Sequence, residues 1–495
     1  MRRPCRFLVT LLVAPLAVGP AFPLTAAEAG DAHRLVAAIL GQTPMIDDLR
    51  ELTDTIGGRP TGSPANLRSV DWTLERFREA GVTARREAFE MPALWLAGEA
   101  SVVVYGEGVR FEPRVAAMPF STATPEEGSR ALLLDAGRGD DADFERLGER
   151  ARGAFVLIET DLLEDLAGLF AEYAATARIE PRAFAAGALG VIYMGSRSRD
   201  VLYRHNAALG PENRHPILAM ERDGAQRALR LLRSGAELSV EARIAVHSGG
   251  PYESYNVIGE IPGAGASPEI VVVGAHLDSW GLGTGALDNG CNVAMLIDVA
   301  RQMKRLDIVP RRTVRFVLWN GEEQGLEGSW GYVRRHQDEL DRHVMAASID
   351  IGSGRITGFF TGGRPELAAA VERSLEPVAG LGPFVQVDEP IVGTDNYDFM
   401  MEGIGNLVAA QESANYGPNY HARSDTFDKV DQTQLRLNAA VTAAVVLGFA
   451  EMDADWGRQS REQIQRLVDS TTLGEEMKTF GYWDDWVTGK RGRRE

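Results

Sequence analysis

From about Tyr252 to Ala450 the chain alternates short, unbroken apolar runs with segments of helical period. Residues 270–274, 313–319 and 345–350 read as strands, and residues 292–303, 325–336 and 435–450 read as helices. A strand that is apolar at every position has both faces buried, which is the situation of a parallel sheet covered by helices on two sides. The pattern therefore predicts an α/β fold with a mostly parallel central sheet flanked by helices. In such a sheet, side chains that do chemistry gather where strands end and loops begin.

The chain is 495 residues long and 44% hydrophobic, more than a single core ordinarily holds. We divide it into a signal peptide (1–29), the N-terminal part of a catalytic domain (30–110) and a smaller inserted unit (111–240). The catalytic domain proper (241–455) and a C-terminal helical extension with a basic tail (456–495) follow. The leader rests on Arg2, Arg3 and Arg6 before an apolar run at 7–24, with Ala27 and Ala29 offering a cleavage site. It predicts export to the periplasm or medium, with no stable membrane span once it is removed. Cys5 leaves with the leader, so Cys291 stands alone and reads as a buried structural thiol rather than half of a disulfide. The formal charge of −18 excludes a nucleic-acid partner, because phosphate binding needs a basic footprint. The basic residues 490–494 read as a disordered, solvated tail, and oligomeric state stays open.

Two of eight histidines occupy settings that carry chemistry. His276 ends the first apolar strand, with Asp278 two residues on. In extended chain these point the same way, so Asp278 is placed to accept a hydrogen bond from the far imidazole nitrogen. A glycine-dense loop at 281–290 then delivers Asp288 just before a helix. The next strand ends in Glu322-Glu323, two adjacent carboxylates that repel unless a cation is near. With metal present, one can bind it while the other stays free to take a proton. Asp350 ends the following strand, and His421 lies in a polar loop before the last helix. Nitrogen and oxygen donors without cysteine suit zinc, with cobalt or manganese as substitutes.

The segments 274–279, 285–290 and 322–325, together with Asp350 and with His421 followed by Asp425-Thr426, resemble the M28 metallopeptidases. That family includes secreted aminopeptidases and plasma glutamate carboxypeptidase-like dipeptidases. The resemblance implies a zinc exopeptidase-like fold holding two zinc ions per chain. His276 and Asp350 would complete one site, Glu323 and His421 the other, and Asp288 would bridge them. It makes Glu322 the general base and Asp278 the residue that orients His276. The inserted unit resembles a β-rich protease-associated domain through residues 155–159 and 185–193. Close relatives often carry histidine where this chain has Asn396 and Tyr420. With Tyr397 and Arg423, these are the expected substrate or oxyanion contacts. The implied activity is release of N-terminal residues from peptides. A dipeptidase or carboxypeptidase, a glutaminyl cyclase-type transferase and a non-catalytic binding ectodomain are the alternatives. Arg355, Arg364 and Arg423 are the cations that could hold a substrate carboxylate instead of an ammonium.

Overall fold

The computed structural model describes residues 30–494 apart from 107, 205–209 and 266, so the expected leader lies outside the described residues. In chain order the first strands are β1 (Thr83–Met91), β2 (Leu94–Gly106), β3 (Val109–Phe111), β4 (Val115–Ala117) and β5 (Ser129–Asp135). They are followed by β6 (Phe155–Ile158), β7 (Gly190–Met194), β8 (Ile217–Met220), β9 (Leu238–Gly249) and β10 (Tyr252–Ile261). The last are β11 (Ile270–His276), β12 (Thr313–Trp319), β13 (His343–Ser348), β14 (Ile356–Phe360) and β15 (Asn406–Gln411).

They form two sheets. The larger has the order β1-β10-β12-β11-β13-β15-β14. Its four inner strands are parallel to one another, while β1, β10 and β14 join antiparallel at the margins. The apolar runs are buried on both faces, as their composition requires. Val271, Val273, Phe316 and Leu318 point into a core built with the helices Asp31–Ile39, Cys291–Arg305 and Gln432–Glu451. Val272, Val317 and Trp319 point the other way, against Tyr332, Val333 and Phe399. The helix Gln432–Glu451 is long and apolar enough to cross a membrane, yet every residue from 438 to 447 is buried in this core.

The smaller sheet runs β3-β2-β9-β5-β6-β7-β8-β4. It starts at Leu94, earlier than the boundary expected at 111, because β2 pairs along nearly its whole length with β9. That partner lies far along the chain, and such pairing leaves no local mark. Two residues of the larger unit are built into the smaller sheet's cores: Trp280 on one face and Ala422 on the other.

The basic end is not a solvated tail. The helices Arg461–Ser470, Leu473–Thr479 and Trp483–Val487 pack against Leu326, Val392, Met400 and Met401. Arg491 is 3% exposed and donates from Nε and Nη2 to both oxygens of Asp398, at 2.7 and 2.8 Å. A planar guanidinium meeting a carboxylate with two bonds, framed by the rings of Trp330, Tyr397 and Tyr482, is a docking element.

Candidate metal centre

β12, β11 and β13 lie side by side, and the chain turns from one side of β11 to the other between β12 and β13. At that switch the strand ends splay apart, and the residues that follow them converge. His276 is the last residue of β11. Glu323 follows β12, Asp350 follows β13, and Asp288 enters from the loop before the helix Cys291–Arg305. His276 Nε2 lies 3.1 Å from Asp288 Oδ1 and 2.9 Å from Asp350 Oδ1. His421 Nε2 lies 3.4 Å from Asp288 Oδ2 and 2.8 Å from Glu323 Oε2. Asp288 thus turns one oxygen to each pair. All five residues are buried. Ligand atoms of His276, Asp288 and Glu323 fall within 4.8 Å of one another.

Neighbouring side chains explain why these loops take this shape. The Asp425 carboxylate accepts hydrogen bonds from the amides of Ala286, Leu287 and Asp288, at 3.0, 2.6 and 3.2 Å, and so shapes the turn that carries Asp288. Burial pushes its carboxyl up to about 7 against those amides. Arg59 is fully buried, and its guanidinium donates to the carbonyls of Gly57, Leu277, Thr284 and Gly285 at 2.8–2.9 Å. It clamps the segments after His276 and before Asp288, and burial lowers its pKa to about 10. Thr61 donates to Asp278 Oδ2 at 2.7 Å and accepts from the Gly321 amide at 3.0 Å. The glycine- and proline-rich loop at 57–64 is therefore part of the site.

The far nitrogen of each imidazole meets a backbone carbonyl. His276 Nδ1 lies 3.0 Å from the Asp278 carbonyl, while the Asp278 carboxylate stands back at 3.8 Å. Asp278 was expected to orient the ring through its side chain; the main chain makes the contact, because the carboxylate is turned toward Thr61. His421 Nδ1 lies 3.2 Å from the carbonyl of Arg204, a residue of the inserted unit. That contact belongs to a seam. The Arg204 amide donates to the His421 carbonyl, and the Arg423 amide donates to the Leu202 carbonyl, while Tyr173 and Tyr420 share a 2.8 Å hydroxyl–hydroxyl hydrogen bond. Nothing in the sequence marked this seam, since most of its members are peptide groups.

The electrostatics fit a cation. Burial disfavours charge on either imidazole, yet Asp350, Glu322 and Asp288 outweigh it at His276 and hold that ring well above its ordinary pKa. At His421 burial dominates, and the pKa falls to about 4. Burial and the neighbouring carboxylates push Glu322 and Glu323 well above the carboxylate range. Apart from the imidazole nitrogens already given, Asp288 Oδ2 and Asp350 Oδ1 are buried with no hydrogen-bond partner among the described residues. Carboxylates gathered out of water need positive charge among them. The donor set, two imidazoles and three carboxylates with no thiolate, can hold zinc-like ions.

A cleft of about 600 Å³ opens over Glu322, Glu323 and His421, within the size range of small-molecule sites. Phe120, Tyr173 and Ala177 of the inserted unit line it, as do Phe480, Tyr482 and Asp485 of the C-terminal extension. Of the expected contacts only Tyr420 reaches it, its ring stacked 3.7 Å from that of His421. Tyr397 does not; it is buried, its ring stacked on that of Tyr482 at 4.9 Å. Asn396 is buried and bonded to the Ile391 carbonyl and Asn406. Arg423 is exposed outside the cleft. The Cys291 thiol is buried beside the Leu287 carbonyl, and burial raises its pKa, which suits a structural role.

Ligand-type side chains gathered at a topological switch, under a cleft walled by added elements, describe a metal-dependent hydrolase. Residues 256–446 match the model of peptidase family M28. Human carboxypeptidase Q is 25% identical over 440 residues, covering 86% of this chain and 90% of its own. A probable lipoprotein aminopeptidase, LpqL, of Mycobacterium tuberculosis is 27% identical over 454 residues, covering 84% and 85%. Among solved structures, a peptidase M28 precursor from Shewanella amazonensis superposes with a TM-score of 0.76 at 25% identity, over 85% of this chain and 96% of that one. BSAP, a zinc aminopeptidase from Bacillus subtilis, shares the fold with a TM-score of 0.65 at 22% identity, over 83% and 95%.

Proposed function

We propose that this protein is an exported aminopeptidase that removes N-terminal residues from peptides with the help of two zinc ions. His276 and Asp350 would hold one ion, Glu323 and His421 the other, and Asp288 would lie between them. The observation that carries this reading is the division of Asp288, with one oxygen toward each imidazole–carboxylate pair. Bound there, the ions would supply a polarised scissile carbonyl and a water of lowered pKa.

The chain's own residues do the rest. Glu322 stands beside the cluster, half-buried in the cleft wall, and its raised pKa suits a base that takes a proton from water and passes it to the departing amine. Five carboxylates line the cleft: Glu90, Glu322, Glu323, Glu327 and Asp485. Its cations are already engaged or exposed. Arg491 is bound to Asp398, Lys490 pairs with Asp485 at 3.0 Å, and Arg334 lies at the surface. Arg355 pairs with Glu412, and the buried Arg364 donates to backbone carbonyls and to Glu366. A cleft of this charge suits a substrate ammonium better than a carboxylate, which favours the amino end.

A panel of free, N-acetylated and C-amidated peptides assayed with zinc tests the reading. Acetylation should abolish cleavage and amidation should leave it. The reverse result would assign the enzyme to the carboxy end, in line with its similarity to carboxypeptidase Q. Glu322→Gln should lower kcat at least about a hundredfold while two metals per chain remain by elemental analysis. Full turnover in that variant would remove Glu322 from the mechanism.

A further inference from the structure

An apolar recess of about 210 Å³ adjoins the main cleft beside Asp350. Ile351, Phe360, Ile391, Val392 and Val408 are among its walls. Four residues, Tyr173, Gly393, Tyr420 and Phe480, line both cavities and so form the partition between them. Two of these are fixed to each other by the Tyr173–Tyr420 hydroxyl bond. Gly393, at φ +104°, has no side chain to contribute, and a Cβ added there would stand 3.7 Å from the end of the Phe480 ring. The remaining partition is that ring.

Phe480 follows the helix Leu473–Thr479 of the C-terminal extension, beyond the residues matched to the peptidase family. Its ring lies 5.2 Å from that of Tyr173 and 6.5 Å, edge-on, from that of Phe170, both on the helix Leu166–Ala185 of the inserted unit. On its other side it stacks on Tyr482 at 6.2 Å. It is half-buried. Two elements outside the catalytic sheet thus meet through one aromatic side chain at the edge of the metal centre.

We propose that Phe480 is a specificity-determining residue that closes the apolar recess beside Asp350 and sets the size of the substrate side chain accepted there. This rests on the exopeptidase reading. A substrate held at the metal centre with its side chain in the recess buries apolar surface, which favours binding as far as the walls allow. With the phenyl ring in place the recess suits a branched aliphatic side chain. Without it, the recess joins the larger cleft and admits an indole.

The test compares hydrolysis of Leu-Gly-Gly and Trp-Gly-Gly by the zinc-loaded wild type, Phe480→Ala and Phe480→Trp. The alanine variant should raise the Trp/Leu ratio of kcat/KM about tenfold, chiefly through KM, and the tryptophan variant should lower it. Structural damage alone would reduce both substrates together and could not move the ratio in opposite directions in two variants. An unchanged ratio in both variants, with an active wild type, overturns the proposal alone. A wild type that cleaves neither peptide nor any other in the panel overturns the exopeptidase reading and this proposal with it.

Discussion

Adjacent residues at this site have sharply different surroundings. Both glutamates line the cleft, but Glu323 is buried against His421 while Glu322 next to it is only half-buried, a difference that suits the two tasks proposed for the pair. His276, Asp288, Glu323, Asp350 and His421 are legible in sequence because the first four stand within a few residues of an apolar run or helix, and all are of ligand type. Asp425 and Arg59 are hard to read for the opposite reason. Apart from the Gly57 carbonyl that Arg59 bonds, their partners are peptide groups more than a hundred positions away, so no spacing announces these contacts even though Asp425 shares a motif with His421. Asp425 nevertheless holds three amides of the turn that presents Asp288. Asp425→Ala should therefore weaken metal affinity about ten- to a hundredfold, measured by competition with a chromogenic chelator. Unaltered affinity would show that the turn keeps its shape without the carboxylate. Tyr397 illustrates the converse error: it neighbours a recognisable motif, but its helix turns it away into the C-terminal core.

At the scale of elements, the parallel centre of the large sheet follows directly from its apolar runs, whereas the antiparallel margins and the β2–β9 pair depend on distant partners. The basic end of the C-terminal extension is the largest departure from expectation. Its charges suggested solvent, but Arg491 is enclosed with Asp398, which is 1% exposed. Arg491→Ala would strand that carboxylate without its cation and should destabilise the protein by about 3–5 kcal/mol, read from denaturant unfolding. Lysine should not rescue it, since a single ammonium cannot make the two-point contact. A second element has a built-in acid limit. His343, at the start of β13, accepts from the Tyr332 hydroxyl at 2.9 Å, and that oxygen in turn accepts from Arg315. The other ring nitrogen donates to the Glu339 carbonyl at 3.0 Å. Burial is the main cause holding its pKa down at about 4, against 6.5 for an ordinary imidazole. The folded state therefore binds this proton less readily than the unfolded chain. Its contribution is complete above pH 6.5 and is lost as pH falls through about 4, amounting to about 3 kcal/mol. His343→Gln should flatten that part of the stability–pH curve; an unchanged curve would place the acid limit elsewhere.

Across the whole molecule, the metal centre is also a joint. The His421 loop is held from below by the carboxylates of Asp288 and Glu323 and from above by the 202–204 segment of the inserted unit. Ala422 is embedded in that unit's core and Trp280, close to His276 in sequence, in its other face. If cations neutralise the buried carboxylates, removing them leaves repulsion among Asp288, Glu323 and Asp350 that the two imidazoles and the buried Arg59 oppose only in part. Repulsion of that kind is relieved most easily where loops rather than strands carry the groups, and of the five only His276 lies within a strand. Chelation should therefore lower the melting temperature, with recovery on adding zinc in proportion to ligand occupancy. It should also speed hydrogen exchange at the amides of Arg204 and Arg423, which bond across the seam to His421 and Leu202. The amides of β5 and β6, deep in the smaller sheet, should keep their protection, because their ladder does not depend on the joint. Faster exchange throughout the smaller sheet would mean that the metal stabilises the entire inserted unit. Unchanged exchange at Arg204 and Arg423 would mean that the seam holds His421 in place whether or not metal is bound.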